Sequence, residues 1–174
     1  MRRMLHLVRR FFGSLRPGGP PEAEVAWVEA QLLPTEVVVW SRLPGPDRRH
    51  SAAVARRVEA LLGGSTVRPV LAAALLHDSG KIESGLHTGG RVVATLLAAT
   101  LVRTSDDARR WSRRHGYRRR VGVYLLHPEV GGRLLIDAGS DPLTVAWTLE
   151  HHRPADRCTL DPVIAAALRD ADDD

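Results

Sequence analysis

The sequence predicts an all-α fold, and three observations carry that expectation. Alanine and leucine are abundant, while aromatic residues make up only 5% of the 174. Side chains that lose little on entering a helix therefore outnumber those that favour strands. Apolar residues such as Val54, Val58 and Leu61 recur at helical spacing. Finally, Asp141-Pro142 and Asp161-Pro162 are strong helix starts. In each, a carboxylate can cap free amides and the proline costs no hydrogen bond in the first turn.

Taken in order, residues 2–12 read as a short amphipathic helix carrying Met4, Leu5, Val8, Phe11 and Phe12. Its apolar face would pack on the domain or a partner subunit, or lie at a membrane interface. After RPGGPP a helix runs from Glu22 to about Leu33 and stops before Pro34. TEVVVWSRLP has three valines, which favour a strand, but no partner strand is evident elsewhere. It is read as a short helix or turn, ended by Pro44, Gly45 and Pro46. From His50 or Ser51 a helix runs to Leu62, with Gly63-Gly64 as its stop. The next begins near Pro69 and runs through VLAAALLHD, apolar at almost every position and so central and buried. A helix from Arg91 to about Arg103 follows, then an arginine-rich segment, then a helix from Arg119 into His127. Helices over 128–138, 142–152 and 162–172 complete the chain, and no internal repeat is evident.

The length suits one domain with a proper core, and the 44% hydrophobic and 26% charged fractions are those of a globular protein. Net charge is +5, concentrated in MRRMLHLVRRFF and DDARRWSRRHGYRRR. These stretches lack the aromatic interleaving of a single-strand platform and any zinc-finger spacing, so nucleic acid is not expected as a partner. A small anionic substrate is served equally well by positive charge. Cys158 stands alone, which excludes an intrachain disulfide and fits a cytoplasmic location. The longest apolar run, VVATLLAATLV from Val92, falls short of the roughly 20 residues that span a bilayer, so no transmembrane segment is expected.

Imidazoles and carboxylates recur at the ends of the expected helices. His50 shares a face with Val54 and Val58, and His77-Asp78 closes the most apolar helix. A buried aspartate is costly without a cation or several donors, and its two oxygens can serve two ions. His127 precedes Pro128, the pair His151-His152 ends the helix begun at Pro142, and Asp170, Asp172, Asp173 and Asp174 close the chain. Each alone has an ordinary reading as a cap, a core histidine or a solvated tail. Together they form a mixed nitrogen and oxygen donor set, which suits a divalent first-row metal rather than a thiolate site.

The order H…HD…H…HH…D, with LLHDSGK at 75–81, HPEVGGRLL from His127, HHRPAD from His151 and ALRDADD near the end, resembles the HD-domain metal-dependent phosphohydrolase superfamily. It is most similar to the HDIG and HD-GYP-like branches. The resemblance covers residues 48–173 and divides the chain into an N-terminal helical extension, 1–47, and an HD domain, 48–174. It implies an HD-domain helical bundle around a buried binuclear centre. His50, His77, Asp78 and Asp172 would hold one divalent ion, and Asp78 would bridge to a second held by His127, His151 and His152. The ions would be Fe or Mn first, then Co, Ni or Zn. Asp170 or Asp173 could stand in for Asp172.

The implied activity is hydrolysis of a nucleotide or another small phosphate ester by a metal-bridging hydroxide, with Asp78 and Lys81 as catalytic residues. Lys81 would contact a phosphate oxygen, Gly80 would let the backbone pass closely, and Arg113, Arg114 and Arg118–Arg120 could meet a phosphate, Arg118 foremost. The chain departs from the HD-GYP pattern by reading RPADRC after the histidine pair, so cyclic di-GMP hydrolysis is not expected. Pro46 stands where some three-metal sites carry a carboxylate, with Asp47 beside it, which predicts two metals. Two other readings fit the same residues. One is a non-catalytic HD-like module that binds a nucleotide or protein, the other a di-iron oxygenase on the same scaffold. A homodimer is compatible with the N-terminal helix.

Overall fold

The computed structural model describes residues 18–102 and 104–173. Helix is the only regular secondary structure among them: α1 (Glu22–Gln31), α2 (Pro34–Ser41), α3 (Gly45–Leu62), α4 (Arg68–Leu76), α5 (Thr88–Thr100), α6 (Ser105–Ser112), α7 (Gly116–Leu125), α8 (His127–Asp137), α9 (Pro142–Glu150) and α10 (Pro162–Asp173). Short 3₁₀ turns cover Gly63–Ser65, Ser79–Ser84 and Ala155–Arg157. The fold is all-α, as expected. No helix among the described residues is long and apolar enough to cross a membrane. The helix expected over 2–12 lies outside the described residues.

The apolar helix read from Pro69 is the axis of the molecule. Every residue of α4 from Val70 to Leu76 is buried, because α1, α2, α3 and α9 pack around it. Leu75 and Leu76 are fully buried immediately before His77, and truncating either to alanine would cost about 2–5 kcal/mol. α1 and α2 add Val28, Leu32, Val39 and Trp40 to the same core, so the described part of the N-terminal extension is packed into the bundle. α10 closes on α3, and α8 lies between α9 and the turn after α4. A smaller core of Leu86, Ala94 and Val121 joins α5 to α7.

Several boundaries differ from the expectation for identifiable reasons. α3 starts at Gly45, so Pro46 belongs to its first turn rather than ending the previous segment. The three-valine segment is helix α2, whose Glu36 side chain accepts from the Leu33 amide at its start. The arginine-rich segment contains α6, unforeseen although TSDD is a readable start signal. The Thr104 hydroxyl accepts from the Asp107 amide and the Asp107 carboxylate accepts from the Thr104 amide. Asp141 and Asp161 cap α9 and α10 as their Asp-Pro pairs predict.

Candidate metal centre

Three of the five candidate histidines sit where helices end, and one device fixes all three. The last carbonyls of a helix have no intrahelical partner. Nδ1–H of His77 donates to Ala74 O at 2.9 Å, that of His127 to Tyr124 O at 2.8 Å, and that of His151 to Thr148 O at 2.9 Å. Each imidazole is thereby held in one tautomer, with a bare Nε2 directed away from its own helix.

Those Nε2 atoms converge on Asp78, the residue after the α4 cap. His127 and His151 face Oδ1 at 3.4 and 3.9 Å, whereas His77 faces Oδ2 at 3.6 Å. Asp172, in the last turn of α10, brings Oδ1 to 2.9 Å from His50 Nε2 and 3.7 Å from His77 Nε2. His152, at the exposed rim, places its Nε2 3.2 Å from that of His127. Two groups result whose donor atoms lie within 4.8 Å of one another: His50, His77 and Asp78, and His127, His151 and His152. Asp78 lies between them with one oxygen toward each.

The backbone makes this approach possible at glycines. A Cβ on Gly80 would stand 2.0 Å from His127 O and 2.5 Å from Gly131 N, so the turn after Asp78 lies directly on the start of α8. A Cβ on Gly131 would meet Thr148 at 2.9 Å, and one on Gly132 would meet Leu149 at 2.6 Å, so the glycine pair of HPEVGG admits α9. α9 is tied to α4 in turn, the Thr144 hydroxyl donating to Pro69 O at 3.0 Å.

The donor set fits metal ions. His77 Nε2 and His151 Nε2 are buried and have no hydrogen-bond partner, a costly state for a lone pair unless a cation completes it. Two atoms that each lie about 2.1 Å from one ion are roughly 3.0–3.4 Å apart at octahedral to tetrahedral angles, and farther at wider ones. The separations of 2.9–3.9 Å around Asp78 and Asp172 are of that size. Burial lowers the His127 pKa, and burial with the neighbouring imidazoles takes His151 down to about 2 and His152 to about 4. All three are neutral ligands at pH 7. Burial alone would push the Asp78 carboxyl up, but Lys81 and the facing histidines hold it well below the usual carboxylate range.

The structure brings seven of the expected residues together: His50, His77, Asp78, His127, His151, His152 and Asp172. Asp170 and Asp173 are exposed, and Asp174 lies outside the described residues. Lys81 is bonded to Asp78 Oδ2. Burial would lower the pKa of its ammonium, but Asp78 outweighs this and raises it. Arg118 is exposed and lies over the Trp111 ring, 5.6 Å from its centroid. No hydrogen bond or ion pair joins it to the cluster among the described residues. Both oxygens of Asp47 accept from Arg91 Nη1, at 2.8 and 2.7 Å.

Sequence reasoning missed this last pair and also missed Glu150. That buried carboxylate precedes His151 and accepts from the Thr159 amide at 2.7 Å, holding the loop after the histidine pair. In all three comparisons, with protein-family models, curated proteins and solved structures, no match was found.

Proposed function

We propose that the cluster is a binuclear metal centre and that the protein is a metal-dependent phosphohydrolase or phosphodiesterase of HD-domain type. The observation that carries this reading is the convergence of imidazole Nε2 atoms, those of His77 and His151 without a hydrogen-bond partner, on the two oxygens of one buried aspartate. His50, His77, Asp78 and Asp172 would hold one ion, and Asp78, His127, His151 and His152 the other. Bound divalent ions there supply Lewis acidity and a water-derived nucleophile at neutral pH. The chain's own part is to fix the donors, through the three carbonyl contacts and the close turn at Gly80. It also keeps the Lys81 ammonium charged beside the site, where it can donate to a phosphoryl oxygen. Resemblance of the ordered motifs to the HD superfamily supports a nucleotide or other phosphate ester as substrate.

Elemental analysis of protein purified without chelator and without air is the first test. About two first-row ions per chain is the expected result, with turnover in a phosphate-ester panel that disappears in Asp78→Ala and His127→Ala. Less than one ion per chain after reconstitution with Fe, Mn, Co, Ni and Zn would overturn the reading. The contact of Lys81 with Asp78 favours a second reading, in which the ammonium serves as the resident cation of a non-catalytic binding module. Metal below one ion per chain after reconstitution, together with no turnover, would select that module.

A further inference from the structure

Beside the metal centre lies an ion pair that the donor set does not use. Asp47 stands in the first turn of α3, three residues before His50 and so next to it on the helix surface. Arg91 stands in the first turn of α5. Its Nη1 donates to both Asp47 oxygens, at 2.8 and 2.7 Å, and the two side chains keep only 15% and 18% of their exposure. The guanidinium is fixed a second time, Nε donating to Leu86 O at 3.1 Å. Leu86 is tied in turn to the segment that carries Lys81. Its amide donates to the Ser84 hydroxyl at 3.2 Å, and that hydroxyl donates to Lys81 O at 2.7 Å. A run of hydrogen bonds thus leads from α3 through the ion pair to Lys81, whose ammonium is bonded to Asp78.

Two carboxylates therefore compete for Lys81. Burial disfavours its ammonium, while Asp78, Tyr124 and, more weakly, Asp47 favour it, so the Asp47 charge reaches it. Among the described residues only Asp78 is bonded to it, and both oxygens of Asp47 are taken by Arg91. We propose a role that rests on the phosphohydrolase reading: Arg91 is a positioning residue for the phosphate ester. By neutralising Asp47 it leaves Lys81 at the metal centre and keeps an unpaired negative charge away from the arriving phosphoryl group. Without Arg91, a largely buried carboxylate would lose its cation, draw the Lys81 ammonium toward itself and repel an anionic substrate. The damage would come from the carboxylate left behind, so removing Asp47 as well should undo it. A brace of the fold would not be repaired in this way, and neither would an arginine that itself holds the phosphate.

Calorimetric titration of inorganic phosphate into the Mn-loaded full chain tests this, with metal content measured on every sample. Arg91→Met should bind phosphate about tenfold more weakly than wild type at unchanged metal content, the effect of one unneutralised charge nearby. Asp47→Asn should bind at least as tightly as wild type, because the Arg91 charge remains. The double variant, Asp47→Asn with Arg91→Met, should return to within about threefold of wild type. Unchanged helical circular dichroism shows that the variants fold. Should Arg91→Met alone fail to fold, the other two carry the comparison, and a tenfold loss in either would overturn the role. Full phosphate affinity in Arg91→Met would overturn it, as would loss of metal from that variant or an equal loss of affinity in all three. A double variant as weak as Arg91→Met would make Arg91 a direct phosphate contact instead. Two ions in wild type with any of these results would leave the binuclear centre standing, whereas less than one ion would overturn the centre and this role together.

Discussion

Asp78 holds a negative charge in a nearly buried position, with the Lys81 ammonium bonded to it. Removing that ammonium from the metal-free protein leaves a buried carboxylate without the cation bonded to it. Lys81→Met should then cost about 2 kcal/mol, less than a fully buried pair because both groups keep some solvent. Metal ions would supply the missing countercharge, so the same substitution should cost under about 1 kcal/mol in loaded protein. Denaturant unfolding of both proteins with and without metal measures the difference. An equal loss in the two states would show that the ions do not meet Asp78.

The imidazoles predict a pH dependence of opposite origin. His151 and His152 stay neutral in the native state down to about 2 and about 4, whereas an unfolded chain takes up these protons near pH 6.5. The unfolded state therefore binds more protons below that point, and stability of the metal-free protein should fall from about pH 6.5 toward pH 4. A flat profile in that window would mean that the native imidazoles are already charged. Residue identity at the site was legible because each donor sits within distinctive local wording. Glu36 was not, for its partner Arg68 lies 32 positions away, and Asp47 could not be joined to Arg91 without the fold.

Helices meet at this site through glycine, and substitution there should be felt across elements. Gly80→Ala places a methyl against the His127 carbonyl, a backbone atom that cannot swing aside. The turn must move off α8, which separates Asp78 from His127, so a loss of about 1–3 kcal/mol should accompany loss of metal. Gly89→Ala in α5 is the control, since nothing lies within 4 Å of its Cβ. It should be neutral or stabilising by up to about 1 kcal/mol. Thermal unfolding and metal content of the two variants settle the comparison, and a tolerated Gly80→Ala would remove the close turn from the account. At this scale the Asp-Pro starts were readable, because capping is local in sequence. α2 was ambiguous because three valines oppose a helix locally and the burial of Val39 and Trp40 against the bundle decides for one.

Over the whole molecule the donors come from α3, the end of α4, the α7–α8 junction, the end of α9 and the end of α10, and their meeting was the part no local pattern could give. The apolar core is built without the cluster's side chains: Val54, Val58, Leu75, Leu135 and Leu168 are buried together among apolar residues, so the helices should persist without metal. The ions would act as ligands of the native state, each adding about 2.7 kcal/mol when present at a hundred times its dissociation constant. In a domain of this size 1 kcal/mol moves the thermal midpoint by about 2–4 °C. Stripping two sites should therefore lower the midpoint by about 10–20 °C while leaving helical circular dichroism at room temperature unchanged. Asp78→Asn should show the lower midpoint from the outset and gain little from added metal, because the side chain that offers one oxygen to each group loses its charge and one of those two oxygens. A midpoint indifferent to chelator and to added Mn or Fe would mean that these histidines close the bundle without an ion. Collapse of the helices on chelation would instead make the metals part of the folding core.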